Sequence, residues 1–420
     1  MNAIKQSILL PLGESGLASD RAIVSDRVVD VDIHGLVAPG EDVHLAWSDL
    51  TRGPDLVWTE RNGGHWIAVN GDLIRTIYKD KVHFSNRDAS LPVPPPEFRL
   101  SPANDDGLDH EEARAILAPY FRPQVVAGMA GQVRKLSAEL VAKLAPRGSC
   151  EFMGEFALVL PVEIFLAMID LPLADRPVLR ALAEQMIRES EEDKRNAGFE
   201  AAARYLMEWL DRRAAKPGED VLSAIATATF RGQPISRQRQ LSLALNVLLG
   251  GLDSTASMTG FIMGALARDP ASRQWFIDHP GQRRQAVEEL MRRHGVVNNL
   301  RVATCDVELD GVTIRKGEHV YLINALHGLD PRLYPDPLKI DFSRKPQPNA
   351  VFGMGDHRCL GANLARMEIG VFLEEWLAKI PDFRIAKGET PVTRSGPVNG
   401  MEYLPLEWSP ARGAASVSQD

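Results

Sequence analysis

A single cysteine and its neighbours constrain this chain more than any other feature. Between Val351 and Ala362 the sequence carries Phe352, Gly353, Gly355, Asp356, His357, Arg358, Cys359 and Gly361, and a helical pattern begins immediately afterwards. Two glycines and a polar stretch predict a tight turn that hands Cys359 to a helix N-terminus. Free backbone N–H groups and the helix dipole favour a thiolate there, and His357 and Arg358 add donor and positive character. A thiolate on a glycine-built turn suits axial ligation of haem iron, because a flat macrocycle needs backbone to approach without side-chain bulk. The other cysteines, Cys150 and Cys305, are distant in sequence and no C-x-x-C occurs. That pattern fits neither a cysteine-rich zinc site nor a disulfide framework.

A second feature lies inside a long apolar helical pattern: Gly250, Gly251, Leu252, Asp253, Ser254 and Thr255. Two glycines in mid-helix cost about 1 kcal/mol each relative to alanine, so they need a reason. One reading is close helix packing. The other is a groove. Ser254, four residues after Gly250, can bond the Gly250 carbonyl and distort the helix, leaving room for dioxygen, and Asp253 beside it can relay protons.

Glu289 and Arg292 stand at i, i+3 and share a helix face. Arg344, soon after Asp341, is a third candidate member of that structural cluster. His110 and Arg114 share a face at i, i+4, and Arg301 opens a strand after the Glu289 helix. Donors of this kind suit two buried-edge carboxylates.

With 45% hydrophobic and 25% charged residues over 420 positions, the chain can build a large core. Its net charge of −8 argues against a general nucleic-acid role. The apolar patch Ile8–Leu12 falls short of a signal-peptide core. Leu241–Leu252, interrupted by Ser242 and Asn246, falls short of a span of about 20 residues. A soluble, cytoplasmic protein with no membrane segment is expected.

Strands are predicted at Val57–Trp58 and Trp66–Val69 around a turn at Asn62, Gly63 and Gly64. A hairpin is predicted over Val307–Ile314, with Asp310 and Gly311 at its turn. Helices are predicted over 72–78, 111–118, 124–145, 155–168, 174–214, 236–268, 280–293 and from Cys359 to Lys379. A final β segment covers Pro397–Trp408. The prolines from Pro92 to Pro96 exclude helix and central strand and begin a long irregular segment read as functional.

The spacing of Phe352, Gly355, His357, Cys359 and Gly361 resembles the haem-thiolate fingerprint of the cytochrome P450 superfamily. Glu289 and Arg292 resemble its Glu-x-x-Arg pair. Asp253 and Ser254 resemble its oxygen-activating acid–alcohol pair, usually Asp-Thr. Here Thr255 comes one place later, so both hydroxyls are candidates, and register favours Ser254. Further matches at Leu56–Thr59, Gly63–Ala68, His83–Ser85, Gly250–Asp253, Glu288–Arg293 and Ile380–Phe383 resemble the bacterial camphor 5-monooxygenase subfamily, from about Leu56 to Trp408.

The resemblance implies a mainly α fold with small β-sheets, a triangular helical prism around one haem b. It implies a monomeric single domain over 1–420, with about 20 N-terminal and about 10 C-terminal residues flexible. By motif position His110, Arg114, Arg301 and His357 would bind the propionates, with Phe352, Cys359 and Gly361 in the haem turn. Electrons would come from NADH through a flavoprotein reductase and a [2Fe–2S] ferredoxin. The substrate wall falls on Phe98, Asn246, Leu249, Gly250, Val297, Pro397 and Val398. Phe98 stands where camphor hydroxylase has a donor tyrosine, and Asn246 where it has a leucine. These departures point to a cyclic terpenoid or norisoprenoid at least as well as to camphor. The alternative is a haem-binding sensor or carrier without turnover, which would keep Cys359, His110 and Arg114 but has no need of Asp253 and Ser254 behind two glycines.

Overall fold

The computed structural model describes residues 25–410, apart from 39, 89–90, 92, 94–98 and 189–190. The expectations for the two termini and for Phe98 therefore lie outside the described residues. The α-helices are α1 (Val43–Asp49), α2 (Gly71–Lys79), α3 (Gly107–Leu117), α4 (Pro123–Leu144), α5 (Val159–Met168), α6 (Arg176–Arg188), α7 (Glu192–Ala215), α8 (Val221–Ala226), α9 (Arg237–Arg268), α10 (Pro270–Asp278), α11 (Arg283–Arg293), α12 (Asn324–Leu329) and α13 (Ala362–Lys379).

The largest sheet has five strands, in the order Leu56–Thr59, His65–Ala68, His319–Ile323, Asn298–Ala303 and Phe84–Ser85. Only the pairing of His319–Ile323 with His65–Ala68 is parallel within it. The hairpin Val307–Leu309/Val312–Ile314 forms as expected. Asp310 and Gly311 take φ values of 51° and 75°, the left-handed conformation that its two-residue turn requires.

Sequence periodicity finds most helices but misjudges one. The predicted helix over 174–214 is broken: α6 ends at Arg188, and Glu191 is extended at φ −80°, ψ 120° before α7 starts. A continuous polar–apolar pattern does not distinguish one helix from two packed against each other, and α6 does pack on α7. The short helices α1, α8, α10 and α12 give too little periodicity to be read from sequence.

Apolar side chains gather in two clusters. One surrounds the large sheet and takes in α11, α13 and the second half of α9, from Ala256 to Ala267. The other joins α3, α5, α6, α7 and α8 to the first half of α9, from Leu243 to Leu252. The segment Asp253–Thr255 lies where α9 passes from one cluster to the other. Among the described residues α9 is the one helix long and apolar enough to cross a membrane, and half of its most apolar stretch is buried within the protein.

Helix α13 packs along α4, and Arg134 joins them through Glu374 at 2.6 Å and Glu375 at 2.5 Å. Trp376 of α13 is fully buried against Phe152, Phe156, Phe383 and Trp408. Arg273 donates to the carbonyls of Leu266 and Phe383 at 2.8 and 2.7 Å and so pins the chain just after α13. These contacts anchor the C-terminal half of α13, and the continuous helix from Ala362 carries that constraint back to the turn before it.

Candidate active site

The cysteine turn is built as its glycines predict. Gly353 N–H donates to Ala350 O at 2.8 Å and Cys359 N–H to Phe352 O at 2.9 Å. Gly353 and Gly355 have φ values of 65° and 69°, and a Cβ on Gly355 would come within 2.7 Å of Tyr78 O. A side chain there would meet both backbone strain and a backbone clash. Gly361 caps α13, so Cys359 precedes the helix by a short step rather than opening it.

Cys359 is accessible, yet protein surrounds its thiol closely, and burial pushes its pKa up. The Gly361 N–H and the charges of Arg114, Arg358 and Arg366 pull it back only in part. The helix terminus and these charges favour the expected thiolate, and burial opposes them. Coordination to a metal cation removes a thiol proton outright. Phe352 flanks the turn, with the Arg366 guanidinium 4.5 Å from its ring centre and in turn paired with Glu288 at 2.5 Å.

The cationic group assembles as predicted. The rings of His110 and His357 lie 3.8 Å apart. Burial, then His110, Arg301 and Arg114, push the His357 pKa down to about 2. Burial and Arg114 likewise lower His110, whose Nε2 is buried without a partner. Arg301 lies over the Tyr78 ring at 4.8 Å and donates to Leu300 O at 2.8 Å. Burial pulls the pKa of both Arg114 and Arg301 down, and neither is paired with a carboxylate among the described residues. Asp106 approaches His357 Nε2 at 3.9 Å, but the two guanidinium groups have no paired carboxylate among the described residues, and two propionates would supply one. Haem therefore fits these residues: Cys359 for the iron, and His110, Arg114, Arg301 and His357 for the carboxylate edge.

On α9, Ser254 Oγ donates to Gly250 O at 2.9 Å. The helix runs from Arg237 to Arg268 through this bond without ending. The room comes from the glycines themselves. A Cβ on Gly250 or Gly251 would meet nothing within 4 Å, whereas one on Gly260 would meet Met153 Sδ at 2.5 Å. Close packing therefore explains Gly260 and not the pair. Thr255 lines a small cavity with Thr259, Phe156 and Glu368.

Asp253 accepts from Arg394 Nη2 at 2.7 Å and from Ser257 Oγ at 3.2 Å. Sequence reasoning missed Arg394, because the partners are 141 residues apart and no local spacing marks them. It also missed Ser242, which accepts from Ser101 N–H at 2.7 Å and donates to Arg99 O at 2.9 Å. That places the described end of the long loop one turn before Asn246. The Asn246 side chain is half-buried and makes no hydrogen bond with a described residue. Leu249 is half-buried against the helical cluster. Val297 and Val398 meet in an isolated antiparallel bridge, flanked by Asn298 N–H to Pro397 O and Asn399 N–H to Val296 O, each 2.8 Å.

The structural cluster is complete. Arg292 binds Glu289 through Nε and Nη2 at 2.7 and 2.8 Å and donates to the carbonyls of Gly328, Pro337 and Lys339. Arg344 Nε reaches Glu289 Oε1 at 3.3 Å.

Comparison with known proteins gives a consistent result. The family profile Cytochrome P450 matches residues 284–392. The chain is 30% identical over 382 residues to a probable cytochrome P450 127A1 of Sinorhizobium fredii, covering 88% of this chain and 91% of that one. The chain belongs to the cytochrome P450 family. It is 32% identical over 389 residues to the mycinamicin IV hydroxylase/epoxidase of Micromonospora griseorubida, covering 90% and 97% of the two chains. The crystal structure of cytochrome P450 CYP101C1 superimposes with a TM-score of 0.86 at 38% identity, over 92% of this chain and 98% of that one. This P450 is a monooxygenase, and its family binds haem b through a cysteine thiolate.

Proposed function

We propose that this P450 hydroxylates an unactivated C–H bond of a small cyclic terpenoid or norisoprenoid, using O2 and two electrons from NADH. The observation that carries the substrate class is the free amide of Asn246 in an otherwise apolar wall. Leu249, Gly250, Val297 and Val398 offer shape and exclude water, and Asn246 Nδ2 offers one donor to a ligand carbonyl. A compact apolar body with a single polar contact is what such a site selects. Phe98, where the camphor enzymes have a tyrosine, offers no donor.

Bound haem supplies an iron that activates dioxygen. Cys359 Sγ holds that iron, and His110, Arg114, Arg301 and His357 hold the propionates. Ser254 has its own proton engaged by Gly250 O, so its Oγ lone pairs face the open space as an acceptor. Asp253, next to it in sequence, is the carboxylate that takes a proton from solvent and passes it on toward that space. Thr255, beside Glu368, is assigned no part in this relay.

Electrons arrive through a [2Fe–2S] ferredoxin with its NADH-dependent reductase. An acidic protein docking an acidic ferredoxin needs a local basic patch. Among Arg75, Lys79, Arg114, Arg358 and Arg366, Arg75 is paired with Asp72 and Arg366 with Glu288. Lys79 and Arg358 are exposed and form the core of the patch. The working form is a cytoplasmic monomer with one domain around the haem.

The test is a spin-state titration of the holoenzyme with camphor, ionones and other cyclic terpenoids, followed by NADH-driven turnover with a ferredoxin. An ionone-type ketone should bind more tightly than camphor, and Asn246→Leu should weaken it by about 0.5–1.5 kcal/mol. Tighter binding of camphor, unaltered by Asn246→Leu, sinks the substrate class.

A further inference from the structure

Arg394 sits at a junction that neither the haem turn nor the oxygen-side helix explains. Its Nη2 donates to Asp253 Oδ2 on α9 at 2.7 Å, and its Nη1 donates to Val398 O at 2.9 Å. Its Nε lies 3.3 Å from Glu402 Oε1. The side chain is slotted under Gly400, where a Cβ would come within 2.6 Å of Nε and 2.9 Å of Cζ. Glycine at position 400 is thus the condition for Arg394 to lie across its own turn.

That turn, Ser395–Asn399, is held on its other side by the sheet. Gly396 O accepts from Tyr321 Oη at 2.9 Å and from Asn298 Nδ2 at 2.7 Å. Asn399 Oδ1 accepts from Trp47 Nε1 at 3.1 Å, and Ser395 Oγ accepts from Leu36 N–H at 3.1 Å. The sheet side is therefore fixed by many bonds. Toward α9, the arginine–carboxylate contact supplies the polar link, beside apolar packing of Met401 near Gly260.

We propose that Arg394 is a specificity-determining positioning residue, pinning the turn that carries Val398 to Asp253 and so fixing the depth of the substrate pocket. The proposal rests on the assignment of Val398 to the pocket wall. Asp253 then has a second task, as the anchor on α9 for that wall. Removing either partner frees the turn to retreat toward the sheet, and the pocket loses its sharp limit on ligand size. Lysine at 394 keeps one charged donor but cannot span Asp253 and Val398 O together, so it restores only part of the constraint.

The experiment compares unmodified holoenzyme with Arg394→Met, Arg394→Lys, Asp253→Asn and the Arg394→Met/Asp253→Asn double variant. Amide hydrogen exchange is read at Val398 and Asn399. Binding is read with imidazoles bearing alkyl groups of increasing bulk, whose nitrogen reports on the pocket whatever the natural substrate is. Arg394→Met and Asp253→Asn should each speed exchange by about tenfold, with the double variant no faster than either and Arg394→Lys in between. The bulkiest imidazole should gain about tenfold in affinity relative to the smallest in Arg394→Met. Unchanged exchange, or additive effects in the double variant, overturns the tether. Faster exchange with an unchanged size ranking overturns the role in specificity. Failure of the terpenoid reading would appear separately, as absence of a terpenoid spin shift in the unmodified enzyme.

Discussion

Arg292 and Arg394 each pair with a carboxylate, in different surroundings. Arg292 and Glu289 are only 3% and 4% exposed, and backbone carbonyls take up the remaining guanidinium donors. Arg394 and Asp253 are each 23% exposed, with the Val398 carbonyl, Glu402 and the Ser257 hydroxyl as their further partners. The first pair joins α11 to the segment that runs into the cysteine turn. The second joins α9 to the turn that carries Val398. A buried, fully bonded pair holds structure because losing one partner leaves an uncompensated charge. A partly exposed pair has little such penalty, so its effect falls on geometry and chemistry rather than on folding.

The largest expected effect tests the buried member. Arg292→Ala should destabilise the holoprotein by about 3–5 kcal/mol in a denaturant titration. The contrast breaks if Arg394→Ala costs as much.

Glu368 supplies a sharper control, because it is a buried carboxyl with no arginine. Burial raises its pKa from 4.5 to about 8. The folded state then holds this proton more tightly than the unfolded chain does. Its contribution is full below the unfolded value and is lost as pH rises through the folded one. Unmodified protein should therefore lose a few kcal/mol relative to Glu368→Gln between about pH 5 and about pH 8, measured by denaturant midpoints. A flat difference across that window would show that the carboxyl finds a partner in solution.

The third expectation separates two neighbouring hydroxyls. Ser254→Ala should keep haem and the substrate-induced spin shift while product per NADH falls at least about tenfold, with peroxide released. Thr255→Ala should stay within about twofold. Coupling that survives Ser254→Ala and collapses in Thr255→Ala reverses the assignment.

The smallest effect completes the comparison. Asp253→Asn and Arg394→Met should each move global stability by no more than about 1 kcal/mol. A larger loss would place this pair with the structural cluster after all.

What could be read from the chain follows from distance along it. The glycine-built cysteine turn, the Ser254–Gly250 bond at i, i+4 and the Glu289–Arg292 pair at i, i+3 all sit within one or two turns of backbone, where local geometry dictates who meets whom. The cationic set of His110, Arg114, Arg301 and His357 was reached through the motif order of the family, and the fold does assemble it. The break between α6 and α7 escaped, because amphipathic periodicity carries no mark of a chain reversal when both helices feed one core.

Sequence by itself therefore determined the kind of protein: a helical fold, a cysteine presented on a glycine-built turn, and an acid and an alcohol behind two glycines. Tertiary structure alone decided how those parts are tuned. It placed Thr255 and Glu368 on one small cavity, raised the Cys359 thiol by burial, and brought Arg394 to Asp253 across 141 residues. Those outcomes depend on desolvation and long-range contact, and both are properties of the packed whole, with no period or spacing along the chain to announce them.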